Sequence, residues 1–170
     1  MKIAIIGYSG SGKSTLARAL GTRCGLPVLH LDRVQFLPGW EVRGRDEQAA
    51  AVEAFLDTHD GWVVDGNYTG LSYERRLREA DRIVLLLFPR LVCLARVIRR
   101  YRRYRGQSRP DMTEGCEEKL DAAFVRWVLW EGRSKKTRQR YARIQREYAD
   151  KVTVLRSQRA LDAFLRETEP

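Results

Sequence analysis

Gly7-Tyr8-Ser9-Gly10-Ser11-Gly12-Lys13-Ser14-Thr15 is the stretch on which the reading of this chain turns. It satisfies the pattern G-x-x-x-x-G-K-[ST] in full. Before it, Ile3-Ala4-Ile5-Ile6 reads as a buried strand. After it, Leu16, Ala17 and Leu20 recur at helical spacing. Strand, glycine-rich turn and helix, in that order, is the context the pattern requires. Backbone amides in such a turn point into a concavity that holds phosphate oxygens, and the positive end of the following helix adds to the field. Lys13 brings a full charge to the β- and γ-phosphates, and the Ser14 hydroxyl is placed to ligate Mg²⁺. Gly7, Ser9, Gly10, Ser11, Gly12, Lys13, Ser14 and Thr15 are therefore expected to bind ATP with Mg²⁺.

Working outward, four more short apolar runs follow: Pro27–Leu31, Trp62–Val64, Ile83–Phe88 and Val152–Leu155. Each is rich in Val, Ile or Leu and does not alternate, as in parallel strands buried on both faces. Helical spacing is expected over Lys13–Cys24, Asp46–His59 and Leu91–Tyr104. Glu117–Ala149 reads as one long helix or a pair broken at Gly132, and a closing helix carries Leu161, Phe164 and Leu165. Alternating strands and helices imply an α/β fold with right-handed crossovers. The length, 170 residues, suits one domain spanning 1–170, with a lid segment at about 96–146.

Two aspartates close apolar runs. Asp32 follows Val28-Leu29-His30-Leu31, and Asp65 follows Trp62-Val63-Val64. Ligands of open parallel sheets bind beyond the carboxyl ends of the strands, so both carboxylates are expected to face the phosphate loop. One can accept a proton from an attacking hydroxyl and the other can orient Mg²⁺. Asp32 is assigned as the acceptor-side base and Asp65 as the magnesium ligand, although spacing alone leaves the two roles exchangeable. His30 is read as structural. Phe36, Trp40 and Tyr68 are read as core more readily than as an acceptor wall.

The formal charge is +10, and it is local. Residues 90–146 hold 17 basic and 6 acidic side chains, whereas the remainder is almost balanced. Arg96, Arg99, Arg100 and Arg103 fall on one helical face, and Arg105 and Arg109 bracket Gly106-Gln107-Ser108. Arg133, Lys136, Arg140 and Arg143 form a second stripe. Arginine pairs bidentately with phosphate oxygens. A helical arginine lid closing over a nucleotide would supply charge to a transferring phosphoryl group and exclude water, with Arg99 and Arg103 as the catalytic pair and Arg105 as a nucleotide contact. The same segment, 90–146, also suits a nucleic-acid backbone.

The longest apolar run, Ile83–Phe88, is too short to cross a bilayer. Three cysteines, Cys24, Cys93 and Cys116, form no C-x-x-C, and only two histidines are present, which argues against a disulfide scaffold or a zinc site. A reduced, cytoplasmic protein is expected.

Several segments together resemble the bacterial DNA topology modulation (FlaR-related) proteins, which are similar to adenylate kinase. They are Gly7–Thr15, His30-Leu31-Asp32, Pro38-Gly39-Trp40, Asp65-Gly66-Asn67-Tyr68, Phe88-Pro89-Arg90, Arg105–Cys116 with its Arg109-Pro110-Asp111-Met112, and Lys119-Leu120-Asp121. The resemblance runs to about Leu165. It implies a P-loop NTPase fold, with a five-stranded parallel sheet in the order 2-3-1-4-5 and a lid after the fourth strand. It also implies a nucleotide role for Arg156, where similar kinases hold the adenine. Asp65-Gly66 continues into Asn-Tyr rather than the Phe-Pro-Arg of adenylate kinases, and the lid lacks a cysteine cluster. Both departures point away from adenylate as acceptor. The expected activity is transfer of the γ-phosphate of MgATP to a small-molecule or nucleotide acceptor. The alternative is an ATP-binding protein that acts on nucleic acid.

Overall fold

The computed structural model describes residues 1–168. Its centre is one parallel sheet of five strands: β1 (Lys2–Gly7), β2 (Val28–His30), β3 (Trp62–Asp65), β4 (Arg82–Leu86) and β5 (Val152–Leu155). The spatial order is β2-β3-β1-β4-β5, as the resemblance implied. Eight α-helices surround it among the described residues: α1 (Lys13–Cys24), α2 (Leu31–Gln35), α3 (Arg45–Thr58), α4 (Tyr73–Glu79), α5 (Arg90–Tyr104), α6 (Ala122–Leu129), α7 (Lys135–Glu147) and α8 (Gln158–Glu167).

Successive side chains of a strand point to opposite faces, so an unbroken apolar run feeds two cores. Ala4, Ile6, Val64, Ile83 and Leu85 pack on one face against Leu31 of α2, Val52 of α3, Leu77 of α4 and Tyr141 of α7. Ile3, Ile5, Val63, Val84 and Leu86 pack on the other against Leu16 and Leu20 of α1, Val97 of α5 and Leu161 of α8. The register sets Asp65 opposite both Ile5 and His30. The carboxyl ends of β1, β2 and β3 therefore form one rim.

Two elements depart from the sequence expectation. The second strand ends at His30, and Leu31-Asp32 already belongs to α2, so Asp32 is a helix residue rather than a strand-end residue. Helix α4 was not anticipated: only Tyr73 and Leu77 mark its apolar face in Tyr-Glu-Arg-Arg-Leu-Arg-Glu. The 117–149 stretch takes the broken form expected at Gly132, as α6 and α7 around a 3₁₀ turn, Glu131–Arg133, with helix beginning only at Ala122.

The cause of α4 lies in Arg76, which is fully buried. Its Nε donates to the Leu71 carbonyl at 2.9 Å, Nη2 to Tyr68 at 2.9 Å and Nη1 to Gly66 at 3.4 Å. One guanidinium thus ties down the loop that follows β3. Burial lowers its pKa to about 10, so it remains a cation at neutral pH. Arg76→Leu leaves three carbonyls without that donor and is expected to cost about 3 kcal/mol, read by chemical denaturation. A loss below about 1 kcal/mol would contradict this role.

Candidate active site

At the rim, the phosphate loop passes from β1 into α1 with Gly10 at φ 75° and Gly12 at φ 97°. A β-carbon on Gly10 would stand 2.7 Å from the Cys93 carbonyl of α5, so only glycine lets the loop sit this close to that helix. Within the loop, Lys13 Nζ donates to the carbonyls of Gly7 (3.2 Å) and Tyr8 (3.1 Å). Burial pushes the Lys13 pKa down, partly opposed by Asp32 and Asp65. The Ser11 side-chain oxygen is buried with no partner.

Asp65 receives two groups. The Ser14 hydroxyl donates to Oδ2 at 2.8 Å, and His30 Nδ1 lies 2.5 Å from Oδ1. His30, set aside in the sequence as structural, is thus the group that orients this carboxylate. Ser14 and Asp65 offer hard oxygen donors beside the loop, the chemistry Mg²⁺ prefers. The glycine cradle and Lys13, whose charge meets no ion partner among the described residues, fit a phosphate tail, so the residues present suit MgATP.

Asn67 was quoted in the sequence only as part of a motif. Here its amide clasps the Gly7 peptide: Nδ2 donates to the Gly7 carbonyl at 2.6 Å, and Oδ1 accepts from the Gly7 N–H at 3.0 Å. The clasp joins the end of β3 to the start of the phosphate loop. Asn67→Ala is expected to weaken ATP binding about tenfold, measured by calorimetry, because the loop loses its anchor. An unchanged affinity would refute the anchoring role.

Asp32 is held by both oxygens. Tyr68 OH donates to Oδ1 at 2.8 Å, and Arg109 Nη2 to Oδ2 at 3.1 Å. Burial and the adjacent Asp32 raise the Tyr68 pKa, so it stays a donor at neutral pH. Arg109 is itself buried and also faces Asp111 (3.5 Å) and Glu118 (3.4 Å). Burial opposes its charge, but Asp111, Asp32 and Glu118 outweigh that effect and hold its pKa above the ordinary arginine value. Glu118 in turn pairs with Arg100 of α5.

Residues 105–121 cross between α5 and α6 without helix. They dock on the loop after α2. Gly39 N–H donates to the Gly115 carbonyl at 3.1 Å, Trp40 Nε1 to Glu117 at 3.0 Å, and Thr113 Oγ1 to Phe36 at 2.6 Å.

All these groups surround one cleft of about 1760 Å³. Ser9, Gly10, Gly12, Lys13, Ser14, Thr15, Asp32, Asp65, Arg99 and Arg103 line it. So do Phe36, Trp40 and Tyr68; Phe36 and Trp40 are cleft wall rather than core, and Tyr68 both lines the cleft and packs against the core. Gly7 and Ser11 stand behind the loop surface, both buried. Two expected nucleotide residues, Arg105 and Arg156, lie outside the cleft and are exposed. The helix α5 ends at Tyr104, so Arg105 leaves its arginine face. Arg156 follows β5 before α8 begins, and Gln158 reaches the cleft instead, joined to Arg96 at 2.6 Å. The second arginine stripe also divides. Lys136 and Arg140 line the cleft, and Arg143 pairs with Glu74 at 2.5 Å. Arg133 turns inward over the Tyr8 ring at 3.9 Å and donates to the Phe88 carbonyl.

No group of three or more His, Cys, Asp or Glu side chains suited to holding a metal exists among the described residues. No helix among them is long and apolar enough to cross a membrane.

No protein-family model matches the chain, and no curated protein does. Solved structures are similar over nearly its whole length. A shikimate kinase from Acinetobacter baumannii, in complex with shikimate, has a TM-score of 0.57 at 19% identity, covering 95% of this chain and 87% of its own. A gluconokinase from Sinorhizobium meliloti has 0.51 at 18%, covering 98% and 87%. An uncharacterized protein from Eubacterium ventriosum has 0.53 at 16%, covering 98% and 97%. At these identities the likeness establishes the fold alone: a five-stranded parallel α/β sheet with a phosphate loop after its first strand.

Proposed function

We propose that this chain is a phosphotransferase that moves the γ-phosphoryl group of ATP to a small-molecule or nucleotide acceptor. The observation that carries the reading is the convergence of four features on one cleft: the phosphate loop, the Ser14–Asp65 pair, Asp32, and the arginine face of α5. Two of the similar structures are kinases by name, which agrees with it.

The acceptor oxygen forms a bond to the γ-phosphorus, and the bond from that phosphorus to the bridging oxygen breaks. ADP departs with the electron pair, and the acceptor proton passes to Asp32. Lys13 holds the phosphate tail in the loop, and Arg99 and Arg103 oppose charge on the transferring group. Mg²⁺, held by Ser14 and Asp65, would screen the β- and γ-phosphates. The lid, 96–146, excludes water above them within a single domain.

The test is transfer of a labelled γ-phosphate across a panel of nucleotides, sugars and hydroxy acids. Transfer to a panel member that vanishes in Asp32→Asn supports the reading. Slow hydrolysis alone, indifferent to Asp32, would defeat it.

A second reading, nucleic-acid binding, draws on Arg102, Arg105, Arg138 and Arg146, which are exposed outside the cleft. It requires DNA affinity that falls steeply with salt and weakens on charge reversal there. The first reading is preferred because the face carrying Arg96, Arg99, Arg100 and Arg103 turns toward the phosphate loop.

A further inference from the structure

Six buried side-chain polar atoms lack a hydrogen-bond partner among the described residues, and three of them gather at one place: Tyr73 OH, Tyr141 OH and Arg140 Nε. The Arg140 guanidinium stands 5.7 Å from the Tyr73 ring centre and 5.5 Å from that of Tyr141. Arg143, one turn along α7, has Glu74 and Glu147 as ion partners, whereas Arg140 has no carboxylate. Buried polar groups are nearly always satisfied, so three orphans side by side call for a missing acceptor. Burial raises both tyrosine pKa values, so each hydroxyl is a donor at neutral pH. The cluster therefore offers donors and a cation but no anion.

Its position separates it from the phosphate loop. Arg140 and Tyr141 line the cleft beside Thr137 and Leu71. Tyr73 and Tyr141 pack in the same core layer as Leu31 and Val34 of α2, the helix that carries Asp32. Arg96, joined to Gln158 at 2.6 Å, belongs instead to α5, whose Val97 packs in the opposite layer with Leu161.

We propose that Arg140 and Tyr141, with Tyr73 packed behind them, form an oxyanion subsite on the Asp32 side of the cleft, and that the acceptor carries a carboxylate or phosphate there in addition to the hydroxyl it presents to Asp32. The assignment of that ligand as acceptor rests on the phosphotransferase reading; the oxyanion site itself does not. Guanidinium and phenolic donors suit either anion, and a neutral polyol would leave the Arg140 charge unanswered.

The test is a ³¹P NMR titration of inorganic phosphate on protein loaded with Mg²⁺ and a non-hydrolysable ATP analogue, with glycolate as a competing carboxylate. Wild type is expected to bind one phosphate beside the analogue. Arg140→Met should weaken phosphate at least tenfold and Tyr141→Phe, which keeps the ring, two- to fivefold, with analogue affinity within twofold of wild type. Displacement by glycolate would assign the site to carboxylates, and resistance to it to phosphates. The proposal is overturned if loaded wild type binds no phosphate, if both variants bind it normally, or if Arg140→Met loses the analogue instead. Repeating the titration on Lys13→Ala, whose loop is silenced, separates the two ideas. Phosphate bound there through Arg140 upholds the subsite even if no triphosphate binds to wild type.

Discussion

Lys13→Ala is expected to leave the fold intact and to remove the thermal stabilisation that MgATP confers on the wild type. Lys13 spends its hydrogen bonds on the carbonyls of Gly7 and Tyr8, and burial depresses its pKa. Its charge is thus kept in the loop at a cost that no ion pair offsets, and phosphate oxygens are the natural counter-charge. A ligand at a hundred times its Kd stabilises a native state by about 2.7 kcal/mol. Loss of a fully desolvated, charge-assisted contact lowers affinity by two orders of magnitude or more, about 3 kcal/mol. The melting shift in Lys13→Ala should therefore fall to near zero at the same ATP concentration. A shift equal to that of wild type would contradict the role given to the loop.

The second large effect concerns Asp32→Asn. The amide keeps the shape: its oxygen can still accept from Arg109, its NH2 can donate to the Tyr68 hydroxyl oxygen, and Arg109 retains Asp111 and Glu118. The 105–121 segment should therefore stay docked and KM for ATP should change little. What the amide cannot do is take a proton, so kcat is expected to fall by about 10²–10⁴. The split between kcat and KM is the informative readout. If Asp32 served only to moor Arg109, the substitution would raise KM and spare kcat. A kcat within threefold of wild type would remove Asp32 from the chemistry.

Much of the architecture was legible in the residues. Parallel strands buried on both faces leave unbroken Val/Ile/Leu runs, and β5 was read at its observed bounds. Helix α1 was equally plain because the lysine of the phosphate loop opens it and Gly25 closes it in a left-handed conformation. Helix α4 was hidden for a physical reason. Its Arg76 reads as a surface cation, and only the carbonyls of Leu71, Tyr68 and Gly66 make burial tolerable. Helix α2 was hidden because Leu31 prolongs the apolar run of β2 without a break.

The site divides in the same way. The phosphate loop and the two aspartates are local signals and lie on the cleft as expected. Arg109 was seen only as a loop cation, because its partner Asp32 is 77 positions away and such a pairing leaves no local pattern. His30 was underrated for the same cause, since Asp65 meets it across the sheet at a separation of 35 residues. Arg156 was placed by the resemblance alone and Arg105 by its neighbours in the arginine segment, and both lie exposed outside the cleft.

The segment 105–121 reaches across to Phe36, Gly39 and Trp40, while α5, from which it departs, stands against the phosphate loop at Gly10. The mouth of the cleft is thus bridged by a strap fastened at both ends. On the phosphotransferase reading, opening of that strap accompanies product release, and solvent viscosity is expected to slow that step.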